Sequence, residues 1–325
     1  MMPKFAYIRP NSIDEALKFL APGTAVVHAG GTDLLGCLRE RVFEAEMVVS
    51  LSRLRELQGI RKTKEGGLQI GALTTITEVA ENQFVKELYP GLATAASSVG
   101  SPQLRNQGTL GGNLCQKPRC WYYRGDFHCL RKGGDTCYAV AGENQFHCIF
   151  GGDSCYIVHP SDTAPVLVAL EATVQIEGPK GQREVPVGEF HVPPSQDPQR
   201  ETVLEPGEMV TGISLPSPPA GLRSSYRKVR ARQSWDFALA GVALALVLEK
   251  GKVGRARVVL SGAAPVPWRL RAVEELLTGR KLDAETIRLA AETALKGAKP
   301  MAQNVYKLPL FKGVIEEELT AISVP

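Results

Sequence analysis

Six of the seven cysteines in this 325-residue chain (Cys115, Cys120, Cys129, Cys137, Cys148 and Cys155) crowd into one short segment. A stretch so loaded with sulfur points to a metal, a cluster or disulfides. A chain of this length buries roughly 75% of its unfolded surface and needs no disulfides to hold a core. The N-terminal MMPKFAYIRP has no long apolar run and no small-residue cleavage site. No export signal is expected, hence a cytoplasmic, reducing setting. A zinc ribbon brings close Cys-x-x-Cys pairs, whereas successive intervals here are 5, 9, 8, 11 and 7 residues. The surrounding QKPRCWYYRGDFHCLRKGGDTC reads as an irregular loop. Four thiolates on such a loop suit an iron–sulfur cluster better than a zinc knuckle, but spacing alone leaves both open.

Glycine supplies the second constraint. HAGGTDLL (His28 to Leu35) follows a short apolar run, and NQGTLGGNLC (Asn106 to Cys115) runs into the cysteine segment. Paired glycines let a backbone approach a pyrophosphate closely with its amides facing the oxygens. Thr32, Asp33, Thr109 and Asn113 add polar side chains beside those amides. Neither segment is a G-x-G-x-x-G fingerprint and the chain has no G-x-x-x-x-G-K-S/T, which disfavours the nicotinamide fold and P-loop ATPases. Taken alone, each loop is equally an ordinary tight turn.

Composition narrows the classes further. Charged residues make up 22% and the net charge is +4, a scattered excess that does not predict a nucleic-acid partner. The longest apolar run, Phe237 to Leu248, falls short of the roughly 20 residues a membrane helix needs.

Periodicity predicts a capping-box helix from Ser12 with Glu15 three places on. Short strands are expected at Val26–Val27, Met47 to Leu51 and Leu68 to Ala72, and helices within 77–82 and 87–99. After the cysteines, TAPVLVALEATVQIEG reads as helix then strand, and Pro193 to Pro206 as a surface loop. From about Arg223, strands give way to two helices, RLRAVEELLTG and a second capped by Asp283, predicting a small α+β unit.

In this order AGGTDLL, IGALTTI, the GTLGGN loop, HPSDTAPVLVALEA and PGEMVTGISLP resemble the FAD-binding medium subunits of the molybdenum hydroxylases, the xanthine and carbon monoxide dehydrogenase group. The resemblance runs from about Phe5 to beyond Gly279. It implies an α+β fold: a two-part FAD-binding domain over 1–220, with a cluster-binding insertion at about 116–157, then a smaller α+β domain over 221–325. It further implies that Ala29, Gly30, Gly31, Thr32 and Asp33, with Thr109, Gly111, Gly112 and Asn113, wrap the FAD pyrophosphate through backbone amides. Ser161 and Asp162 match a Ser-Asp pair, with Asp162 near the ribityl and phosphate region. Val210 matches an aliphatic position beside the flavin ring, and Lys228 a lysine eight residues before an aspartate.

The cysteine insertion resembles the four-iron subgroup, which includes the 4-hydroxybenzoyl-CoA reductase medium subunit. That match gives Cys120, Cys129, Cys137 and Cys155 as ligands of a [4Fe–4S] cluster, with Cys115 and Cys148 as packing residues and Cys148 for Cys155 as the alternative. The implied assembly is a dimer of heterotrimers with a molybdopterin-binding large subunit and a [2Fe–2S] small subunit. Two rival readings are a self-contained flavoprotein with a structural cysteine loop, and a zinc-binding interaction module.

Overall fold

The computed structural model describes residues 2–324. Three strands, β1 (Ala6–Ile8), β2 (Ala25–His28) and β3 (Met47–Ser50), form a parallel sheet in the order β1-β3-β2. Parallel neighbours need crossovers, and the helices Ile13–Leu20 and Leu34–Arg39 lie in them. Ser12 caps the first, its Oγ accepting from the Glu15 amide at 3.2 Å. The reciprocal half of the expected capping box shifts by one residue: the Glu15 carboxylate accepts from the amide of Asn11, not Ser12.

A five-stranded antiparallel sheet follows, made of β4 (Ile60–Lys62), β5 (Leu68–Gly71), β6 (Thr173–Gly178), β7 (Gly181–Pro186) and β8 (Met209–Leu215) in the order β4-β5-β8-β6-β7. Its core includes Leu68, Ile70, Val174, Ile176 and Ile213, packed with Leu92 and Leu167 from the helices Pro90–Ser97 and Thr163–Ala169. The insertion leaves after the helix Leu110–Leu114 and returns before Thr163–Ala169. Between them lie only the short helix Trp121–Arg124 and a 3-10 turn, Leu130–Lys132, as an irregular loop predicts.

The last sheet is antiparallel: β9 (Leu222–Val229), β10 (Ala240–Glu249), β11 (Lys252–Ser261) and β12 (Trp268–Arg269), in the order β12-β11-β10-β9. Successive side chains of a strand face opposite ways. Ala243 and Ala245 of β10 join the core of the five-stranded sheet, while Val242, Leu244 and Leu246 pack under the C-terminal helices. Burial on both faces explains why this segment reads as an unbroken apolar run. Three helices, not two, cover the outer face: Arg271–Leu277, Ala284–Ala294 and Lys307–Ser323. The third escapes sequence reading because Pro309 and Gly313 look like breakers; the proline sits in the first turn, where its missing N–H costs nothing.

Candidate flavin groove and thiol-lined cavity

A groove of about 930 Å³ runs between the first sheet and the helix Leu110–Leu114, and is bordered by Trp235, Asp236 and Phe237. That volume is typical of a cofactor site. Ala29 to Asp33 form one wall. A Cβ at Gly30 would lie 1.8 Å from the Gln107 carbonyl oxygen, and Gly31 has φ +73°, so both positions require glycine. Among the described residues the backbone amides of Gly30, Gly31, Thr32 and Asp33 find no protein acceptor. Consecutive free amides of this kind suit an anion.

The second loop works differently from expectation. Four of its five amides are already used: Leu110 donates to Thr74, Gly111 to Ala72, Gly112 to the Thr109 Oγ1, and Asn113 to the Thr109 carbonyl, leaving that of Thr109 without a protein acceptor among the described residues. Thr109 is thus the N-cap of the helix Leu110–Leu114. This loop therefore lends the groove a glycine edge at Gly111 and Gly112 and the side chains of Thr109 and Asn113, rather than a run of free amides. Gly111 also packs against Ala72, 2.9 Å from where its Cβ would be. Ser161 and Lys228 lie behind the lining. Ser161 donates to Asn113 Oδ1 at 2.5 Å, and Thr163 donates to the same oxygen at 2.7 Å, fixing the Asn113 amide.

Asp162 and Val210 line the groove. The Asp162 carboxylate is buried and accepts from Lys228 Nζ and the Tyr226 hydroxyl, each at 2.8 Å. Burial pushes this carboxyl up, while Lys228 pulls the other way. Lys228 is therefore the counter-ion of a wall residue. Sequence reading missed Trp235 and Phe237, which stand 61% and 45% exposed at the rim. Trp235 holds φ +55°, rare for an aromatic residue.

Asp33 ends the first loop and also grips the insertion. Its carboxylate accepts from the Lys117 amide (2.7 Å), Arg124 (2.7 Å) and Arg119 (2.9 Å). Burial works against the Arg124 charge, but the negative groups around it, Asp33 first, together hold the guanidinium above its ordinary value. Arg119 lines the groove and also stacks over Phe237 at 5.3 Å.

Beside the groove lies a second, small cavity. Four thiols line it, those of Cys120, Cys129, Cys137 and Cys155, together with Arg131 and His147. Cys115 lies in the groove instead, and Cys148 is buried outside the cavity. Among the described residues no three His, Cys, Asp or Glu side chains converge tightly enough for a single metal ion. Four thiols around one space fit a polynuclear cluster. Burial pushes the Cys120 thiol up to about 11, a cost that metal ligation would remove. His147 Nε2 stands 3.4 Å from Cys120 Sγ. Burial also lowers the His147 ring to about 4.

A deep groove with an amide nest, set in a mixed fold with an appended α+β unit, defines a dinucleotide-binding protein. Comparison with known families sharpens the class. Residues 3–218 match the model of the FAD binding domain in molybdopterin dehydrogenase, and residues 224–319 that of the CO dehydrogenase flavoprotein C-terminal domain. The chain belongs to this family of FAD-binding subunits of molybdenum hydroxylases, and it is an oxidoreductase subunit. It is 35% identical to an aldehyde oxidoreductase FAD-binding subunit of Escherichia coli, covering 98% of each chain. It is 30% identical to a glyceraldehyde dehydrogenase medium chain of Sulfolobus acidocaldarius, covering 93% of this chain and 91% of the relative. In structure it matches a carbon monoxide dehydrogenase of Hydrogenophaga pseudoflava with TM-score 0.79 and 27% identity, over 99% of this chain and 98% of that one. No helix among the described residues is long and apolar enough to cross a membrane.

Proposed function

We propose that this chain is the electron-relay subunit of a cytoplasmic molybdenum hydroxylase. It would work with a molybdopterin-binding large subunit and a [2Fe–2S] small subunit, as a dimer of heterotrimers. In the same reading the chain divides into an FAD-binding part, 1–220, and a C-terminal part, 221–325, near the edges of the two family matches. Bound FAD exchanges electrons in pairs or singly, and a [4Fe–4S] cluster one at a time.

The chain's residues support that chemistry in separate ways. The free amides of Gly30 to Asp33, with Thr109 and Asn113, suit the pyrophosphate. Asp162, backed by Lys228, offers a buried carboxylate toward the ribityl chain, and Val210 an apolar contact for the ring. Cys120, Cys129, Cys137 and Cys155 would hold the cluster.

The observation that carries the relay reading is adjacency: Arg119 lines the groove while the next residue, Cys120, lines the thiol cavity. Anaerobic purification with flavin, iron and zinc counts tests it. One flavin and about four irons per chain, with copurifying large and small subunits, are expected. Zinc in place of iron would replace the cluster reading with a structural one. Organic-substrate oxidation by the isolated chain would overturn the relay.

A further inference from the structure

Five basic residues flank the cysteines, but they are not equivalent. Arg119 and Arg124 are engaged by Asp33. Lys132 Nζ donates to the Gly125 carbonyl at 2.7 Å. Only Arg131 lines the thiol cavity. Its side chain is 2% exposed, so the guanidinium is a cation sealed inside the protein. A buried guanidinium demands partners for its five N–H groups. Nη1 donates to Glu201 Oε1 at 3.0 Å and to the Arg200 carbonyl at 3.2 Å. Nε is buried without a hydrogen-bond partner. Glu201, which comes from the Pro193–Pro206 loop, is also held by Lys117. The guanidinium is thus anchored on one side by Glu201 and, on the other, shares the lining of the cavity with the four thiols.

We propose that Arg131 is a positioning residue that donates a charge-assisted hydrogen bond to a ligand sulfur of the thiol cavity and raises the reduction potential of the cluster. The inference rests on the [4Fe–4S] reading of the four cysteines. A reduced cluster carries one more negative charge than an oxidised one, and a donor on a ligand sulfur stabilises that extra charge. The buried cation adds to the effect because little water screens it. Glu201 and Lys117 then hold the donor in place and do not themselves reach the sulfur.

The test uses the anaerobically purified holoprotein with Arg131→Met, Arg131→Lys and Lys132→Met. Each is read by iron per chain, by an EPR-monitored redox titration, and by the shift of Fe–S(Cys) Raman bands in D2O. Arg131→Met is expected to keep its iron and lose the deuterium shift. At the unsubstituted midpoint its oxidised-to-reduced ratio should change at least tenfold toward oxidised, which is 59 mV for one electron. Arg131→Lys should recover part of both signals. Lys132→Met removes one charge from the same turn and should move the midpoint less. An Arg131→Met protein with full iron and an unchanged midpoint would overturn the proposal. Should Arg131→Met lose iron, Arg131→Lys decides: iron kept with a near-native midpoint supports the donor role, and iron lost again makes Arg131 a structural brace and refutes it. If the unsubstituted protein holds no iron, the cluster reading itself has failed, and this inference with it.

Discussion

The groove loop and the cysteine insertion touch at Asp33, yet they are held in shape by opposite means. Gly30 and Gly31 owe their path to backbone fit: one has no room for a Cβ and the other has a left-handed φ. The insertion has almost no regular structure. Side chains from distant segments brace it instead. Asp33 grips its start, Glu201 its middle, and Asn304 and Lys307 its end. A backbone-fixed loop tolerates no added atom. A side-chain-fixed loop has room for added atoms but depends on its distant anchors and on the side chains they grip.

Substitutions can break this comparison, and the largest effect belongs to the backbone-fixed loop. Gly30→Val should be destabilised by about 4 kcal/mol or more, because the Gln107 carbonyl has nowhere to go. Flavin absorbance per chain should collapse; full occupancy with an unchanged melting temperature would show that the backbone is not the constraint.

Lys228→Met comes next, at about 3 kcal/mol near pH 8, since it strands the buried Asp162 carboxylate. The Asp162 carboxyl already sits above its unfolded value of 3.8, and losing Lys228 raises it further. A carboxyl with a raised folded pKa keeps its stabilising contribution in acid and loses it as pH rises through that pKa. The deficit should therefore be smaller at pH 5 than at pH 8 in denaturant melts, and an equal deficit would argue against a stranded charge.

Asp33→Ala should cost about 2 kcal/mol, less than a fully buried pair because Arg119 is about one-third exposed. Its signature is local: limited proteolysis should cut within 116–157 faster than elsewhere. Uniform protection would mean that Asp33 does not hold the insertion.

Asn304→Ala is the mildest, at about 1–2 kcal/mol. It leaves the carbonyls of His147 and Cys148 without their 2.9 and 3.2 Å donor. Hydrogen exchange should quicken at residues 144–150 while the glycine loops keep their rates. Faster exchange in the loops as well would merge the two regions into one cooperative unit.

The same contrast separates what could be read in the sequence from what could not. Local signals carried well. Ser12 and Asp283 cap helices through hydrogen bonds to the Glu15 and Thr286 amides, and the glycine pairs marked the groove. The second glycine loop misled in detail because a one-turn helix that uses its own amides has the same residue pattern as a free-amide nest. The four cavity cysteines were named from family resemblance; their spacing alone did not single them out. Arg131 stands out in the sequence only as one of several basic residues beside the cysteines, with nothing to separate it from Arg119, Arg124 or Lys132, and Glu201 and Asn304 gave no local signal. Their importance comes from partners 69 to 157 residues away, and no periodicity or motif encodes such a pairing.

Those distant anchors also impose an order on the chain's assembly. Asn304 and Lys307 reach back across more than 150 residues to the carbonyls of Phe146, His147 and Cys148. Contacts of such high sequence separation form late, after the loop between them has closed. During synthesis the flavin groove's first wall emerges ahead of the insertion, whereas the end of the insertion cannot gain these hydrogen bonds until Asn304 and Lys307 have been made. Until then the thiols of Cys120, Cys129, Cys137 and Cys155 sit on a loop that lacks this closing brace.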